Sequence, residues 1–254
     1  MAEELLTKEF TTELSEEEKE TVNEYVSNID INDSQMVLQY GAGVQKEIAN
    51  FSEAALGSVK NKDLGEIGEL LTGVVTELKD FDATEEKGFL GLFKKAGNRM
   101  TAIKAKYDKA EKNINNIVKV MEGHQVTLMK DIAMLDQMYE TNLKYFKELS
   151  LYIVAGKEKL KEAREVELPK LLAKAEESGL PEDAQAAKDY ASMVDRFEKK
   201  VFDLELTRNI SMQMAPQIRL IQSNDTVMTE KIQSTLLNTI PLWKSQMIIA
   251  IGLD

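Results

Sequence analysis

The stretch Glu176-Glu177-Ser178-Gly179-Leu180-Pro181-Glu182-Asp183 decides the fold, because it is a short turn between two long helical patterns. Gly179 suits the end of one helix, and Pro181 followed by two acids suits the first turn of the next. A link of four residues, 178–181, makes the flanking helices antiparallel neighbours. Upstream, Ile103, Tyr107, Ala110, Ile114, Ile117, Met121, His124, Leu128, Leu135, Met138, Phe146, Leu149, Ile153 and Leu160 recur at spacings of three and four. Downstream, Ala187, Tyr190, Val194, Phe197, Val201, Leu204, Ile218, Ile221, Met228, Ile232 and Leu236 do the same. Both stripes predict coiled-coil-like packing in a long hairpin, with interruptions near Gly123 and Gly156 and a kink at Pro216.

The N-terminal third reads as shorter helices. Ser15 with Glu18 forms a capping-box signature that opens a helix to about Ile29. Asp33 or Ser34 caps a second helix through about Lys60, in which Gly41 and Gly43 suit close packing. A third helix runs to about Phe81. Residues 82–97 form a connector, and 98–254 form the hairpin, packed with 1–81 as one domain. The expected fold class is all-α, an elongated bundle of long antiparallel helices with a protruding coiled-coil-like hairpin. Only 13 glycines and 4 prolines in 254 residues support that reading.

Composition removes several function classes. The chain has no cysteine, which excludes disulfides, thiolate metal sites and reduction by its own thiols, and is compatible with a reducing cytoplasm. A net charge of −12 argues against a nucleic-acid partner. No apolar run is long enough for a membrane span, and residues 1–12 do not read as a signal peptide. The expected location is the cytoplasm. The single histidine, His124, lies on the packing stripe and is expected to be structural. No catalytic residue, metal ligand or cofactor is expected, so the chain is expected not to be an enzyme.

Charge is nevertheless uneven. Residues 87–130 hold ten basic side chains against Asp108, Glu111 and Glu122. Within the connector, Phe89, Phe93, Lys94 and Lys95 are candidates for contact with an anionic membrane surface through segment 88–106, against a bland role in packing. Polar residues also fall on the stripes: Asp131 and Asn142 before the turn, Arg208 and Asp225 after it. Burial requires these to meet one another, line a wet groove or face a partner. Arg208, Gln217, Arg219, Gln222, Asp225, Trp243 and Lys244 form the candidate partner or anion groove. Trp243 is either a partner anchor or a bundle-closing core residue.

The densest local pattern is TRNISMQMAPQIRLIQSND (207–225), followed by KIQST (231–235) and TIPLWKSQ (239–246). These words, with YGAGVQKEIANFS (40–52), LYIVAGKEKL (151–160) and RFEKKVFDLE (196–205), resemble the toxic anion resistance, or TelA-like, family in the right order over most of the chain. The resemblance implies a bacterial helical protein associated with tellurite resistance and tolerance of envelope stress. The lack of a reactive nucleophile, metal cluster or phosphate loop, with the surface that a long hairpin offers, leads to the expectation of protein partners and a role as a cytoplasmic scaffold or adaptor, with the inner membrane face as a further location. Direct oxyanion binding and peripheral membrane binding are the alternatives.

Overall fold

The computed structural model describes residues 14–60, 64–80 and 96–252, and every regular element among them is helical. In chain order these are α1 (Glu16–Asn28), α2 (Ser34–Gln39), α3 (Ala42–Lys60), α4 (Leu64–Asp80), α5 (Ala96–Glu162), a π-helical turn (Ala163–Glu167), α6 (Leu168–Ser178), α7 (Pro181–Ser234), a second π turn (Thr235–Thr239) and α8 (Ile240–Gly252). No described helix is long and apolar enough to cross a membrane.

The helix starts follow their local chemistry. Ser15 Oγ accepts the Glu18 N–H at 3.2 Å, and Glu18 Oε2 accepts the Ser15 N–H at 2.8 Å, completing the capping box of α1. Asp33 caps α2 by accepting the Gln35 and Met36 N–H groups at 2.9 and 3.1 Å. At the hairpin turn Gly179 adopts φ +65° and Pro181 opens α7. There Ser178 Oγ donates to Asp183 Oδ2 at 2.7 Å, and Lys174 pairs with Asp183 Oδ1 at 2.8 Å.

Several boundaries differ from the pattern reading. The helix expected over 34–60 breaks at Tyr40–Gly41, because Gly41 takes φ +65° where α2 hands over to α3. A Cβ on Gly41 would lie 2.8 Å from Leu204 Cδ1, whereas one on Gly43 would meet nothing within 4 Å, so only the first glycine serves close packing. Neither Gly123 nor Gly156 interrupts α5. A helical glycine costs only about 1 kcal/mol relative to alanine, which the neighbouring turns absorb.

The interruptions come instead at Ala163–Glu167 and Thr235–Thr239, each two residues before a proline, Pro169 and Pro241. A helical proline removes its own N–H and pushes its ring against the carbonyl four residues earlier, here that of Glu165 or Leu237. Both carbonyls lie inside the π turns, where the wider winding makes room. Pro216, by contrast, sits within α7 without interrupting it. The carbonyl deprived of its donor there belongs to Met212, which is 43% exposed, so water can serve it.

The chain divides into two compact units, 1–60 with 137–219 and 61–136 with 220–254. In the first, Val22, Ile29, Val37, Val44 and Ile48 from α1 to α3 pack on Leu149, Ile153, Val194, Phe197, Val201 and Leu204 of α5 and α7. In the second, Ile67 and Val74 of α4 pack with Ile114, Met121 and Leu128 of α5 and with Ile232, Ile240, Trp243 and Met247. Across the hairpin of the first unit, Arg164 donates to both carboxylate oxygens of Glu198 at 2.7 Å. This fork holds the Glu198 carboxyl below its ordinary pKa.

Gly156 sets how closely α5 and α7 approach. It is buried, and a Cβ there would fall 2.6 Å from Val201 Cγ2 and 3.3 Å from Tyr40 Cε1. Gly156→Val is therefore expected to destabilise by about 1–3 kcal/mol despite its better helix propensity, with Val201→Ala in the same chain recovering part of the loss. Thermal unfolding followed by circular dichroism checks this. An unchanged midpoint in the single variant would refute the close approach.

Candidate functional site

The residues singled out from sequence divide between the two units. Arg208, Gln217 and Arg219 belong to the first, and Gln222, Asp225, Trp243 and Lys244 to the second. Phe89, Phe93, Lys94 and Lys95 lie outside the described residues.

In the first unit, the register of α5 against α7 brings polar stripe residues into direct contact. Asn142 and Ser211 are both fully buried. The Asn142 amide donates to the Ser211 carbonyl at 2.8 Å, and the Ser211 hydroxyl donates back to Asn142 Oδ1 at 2.8 Å. Two buried polar side chains thus satisfy each other, which fixes the register of the two helices. The stripe pattern has Asn142 meet Asp131, Arg208 or Asp225, line a wet groove or face a partner; its partner in the fold is Ser211, which that pattern does not include. Its signal was present, since 204, 208, 211, 215 and 218 continue the three-and-four spacing.

The arginines of this unit lie over rings. The Arg219 guanidinium carbon stands 3.7 Å from the Tyr139 ring centroid, and that of Arg208 stands 6.0 Å from the Phe146 centroid. Elsewhere on α7, Lys200 donates to Gln45 Oε1 at 2.7 Å, and the Gln45 amide donates to the Thr207 hydroxyl at 3.0 Å. Burial lowers the Lys200 pKa, with nearby Asp203 opposing the shift. These contacts stitch α3 to α7. Gln217 points to an exposed face.

In the second unit, Lys244 donates to Asn115 Oδ1 at 3.0 Å and lies 3.4 Å from Glu111 Oε1, so a carboxylate already balances its charge. Trp243 is 6% exposed and stacks on Tyr107 with centroids 5.5 Å apart. The indole closes the core of its unit. Gln222 donates to the Ile132 carbonyl at 3.1 Å, and Asp225 is fully buried. His124 Nε2 lies 3.6 Å from Glu66 Oε1. Among the described residues no three His, Asp or Glu side chains are grouped to hold a metal ion. What these side chains do chemically is join helices.

A different kind of surface lies on α7. Phe202, Leu206 and Ile210 follow one another at intervals of four and are 56%, 48% and 49% exposed, while Val201 and Leu204 beside them are buried. They form an apolar edge along one helix face, immediately before and within the 207–225 word. Sequence periodicity did not reveal it, because an outward apolar position and an inward one look alike when both recur at four.

The chain matches the model of the toxic anion resistance protein (TelA) family over residues 22–254. A TelA-like protein of Staphylococcus epidermidis is 35% identical over 253 residues, covering 98% of this chain and 67% of that protein. A TelA-like protein of Staphylococcus saprophyticus is 37% identical over 248 residues, covering 96% and 66%. The uncharacterised protein YaaN of Bacillus subtilis is 37% identical over 246 residues, covering 94% and 64%. The chain thus spans about two thirds of the length of the relatives it matches. No solved structure matches it.

Proposed function

The chain belongs to the toxic anion resistance (TelA) family, and from that premise we propose that it contributes to tellurite and envelope-stress resistance as a non-catalytic helical scaffold. The observation that carries this reading is the apolar edge Phe202–Leu206–Ile210, half-exposed on a helix whose opposite side is fully packed. An apolar strip of that kind is how a helix presents itself to a partner helix or groove. The partner is a protein, met in the cytoplasm or at the inner face of the membrane. Direct anion binding receives less support, since Lys244 sits against Glu111 and the two arginines lie over aromatic rings.

The test is complementation. A bacterial strain deleted for its own copy is supplied with the full-length protein carrying either the native edge or Leu206→Ser with Ile210→Ser, and is grown on tellurite. Both side chains are half-exposed, so the double variant is expected to keep its unfolding midpoint while losing resistance and the proteins that co-purify with the native form. Resistance at the native level would sink the scaffold reading at this edge. Turnover of a substrate, or stoichiometric tellurite binding by the purified chain, would sink the non-catalytic reading altogether.

A further inference from the structure

Three tyrosines of the first unit wall a cleft of about 340 Å3 where α1 and α2 end against α5. Tyr25 stacks on Tyr152, centroids 4.8 Å apart at 28°, and Tyr40 meets Tyr152 edge-on at 5.4 Å and 83°. The Tyr40 hydroxyl donates to the Tyr152 carbonyl at 2.7 Å, and Tyr40 itself is 7% exposed. That bond and that burial fix the rings before any ligand arrives, so binding would cost little side-chain ordering. Asn28 and Gln39 complete the wall with amide groups.

The lining of the cleft carries no charged side chain, basic or acidic, and its Gly41 leads into the N-terminus of α3, whose dipole opposes that of α1. The thirteen-residue helix α1 ends beside it at Asn28 with no basic side chain in its last turn, leaving the negative end of its dipole uncompensated from within. Burial, Tyr152 and the carboxylates of Glu148 and Glu24 together push the Tyr25 hydroxyl pKa upward, which places acidic groups within reach of the ring. The carboxylates of Glu148 and Glu24 disfavour an anion beside this ring. A cation would gain from the ring faces and from the Glu148 and Glu24 carboxylates together.

We propose that this cleft is a binding site for an organic cation, an ammonium or guanidinium group, recognised by the rings of Tyr25, Tyr40 and Tyr152. Its volume matches the lower end of small-ligand sites, enough for a quaternary ammonium head or the end of a basic side chain. The inference concerns the opposite charge class from the family's anion association, and it stands apart from the scaffold edge on α7. The same chemistry could reach the cleft as a free quaternary ammonium compound or as a Lys or Arg side chain of another protein.

Tyrosine-ring resonances of the isotopically labelled chain test it, titrated with tetramethylammonium, N-acetyl-lysine methylamide, N-acetyl-arginine methylamide and the uncharged isostere 3,3-dimethylbutanol. The cations are expected to give saturable shifts at Tyr25, Tyr40 and Tyr152, with the neutral alcohol about 10-fold weaker. Tyr25→Leu is expected to weaken cation binding about 5- to 10-fold and Tyr25→Phe by less than about 2-fold, since the phenylalanine keeps the ring face. Should Tyr25→Leu fail to fold, Glu148→Gln is the second variant, with a loss of about 2- to 3-fold that shrinks with added salt. Tighter binding of tetramethylammonium assigns a free ligand, and tighter binding of either amide assigns a protein side chain; both outcomes uphold the site. Equal affinity for the neutral isostere, or no saturable shift at these rings up to about 100 mM cation, overturns it.

Discussion

Phe197→Ala is expected to be among the most damaging single substitutions in the first unit, at about 3–5 kcal/mol. Phe197 has no exposed surface and sits in the middle of the α7 stripe, with Val194 and Val201 one turn away on either side and Leu204 two turns on, all buried. Its ring meets Tyr40 edge-on with centroids 5.0 Å apart, so truncation loses an aromatic pair as well as buried area. Relaxation is limited, because Gly156 and Gly41 already bring their helices against Val201 and Leu204 with no space for a Cβ. Urea unfolding followed by circular dichroism should show a lower midpoint with an unchanged slope. A loss below about 1 kcal/mol would mean that the space collapses freely, contrary to the packing described.

Trp243→Ala is expected to cost about as much in the second unit, roughly 3–5 kcal/mol. The indole is 6% exposed, stacks on Tyr107 and packs into the cluster that joins Ile114, Met121 and Ile232. This prediction separates the two roles open to the residue. A partner anchor presents its ring to solvent in the free protein, and its removal costs affinity at little cost in stability; a core residue does the reverse. Because Trp243 is the only tryptophan, its fluorescence in the native chain reports on this unit's core directly. A blue-shifted emission that moves red on unfolding, with a large midpoint loss in the variant, supports the core role. An unchanged midpoint would restore the anchor.

The edge on α7 and the tyrosine cleft share a physical character that bears on how such a protein acts. Neither contains a nucleophile held by a base or a set of ligands converging on an ion. Each is a surface shaped by packing behind it: Val201 and Leu204 point inward and leave Phe202 and Leu206 outward, and Tyr40, anchored on the Tyr152 carbonyl, holds the cleft wall. Recognition built this way depends on the cores, so core variants such as Phe197→Ala are expected to impair function through stability as well.

Local chemistry made the helices legible. Ser15 with Glu18, Asp33, and the run from Ser178 to Asp183 each specify a helix end through groups within a few residues of one another, and the apolar stripes on both sides of the turn specify which faces are buried. The family words were legible for the same reason, since they are contiguous. Periodicity could not say where a stripe changes partner. The close approach at Gly41 depends on Leu204, and the pairing of Asn142 depends on Ser211 sixty-nine residues away. It also could not sort Arg219 and Lys244 from a groove, because a cation's partner is set by register: Tyr139 lies beneath one and Glu111 beside the other. The sequence alone therefore determined that this is an all-helical chain, where most of its helices begin and end, and its family. The tertiary structure decided the division into two units, the burial of Trp243, the outward edge on α7 and the meeting of Tyr25, Tyr40 and Tyr152, because each arises from helices whose contacting residues are far apart in the chain and share no local signal.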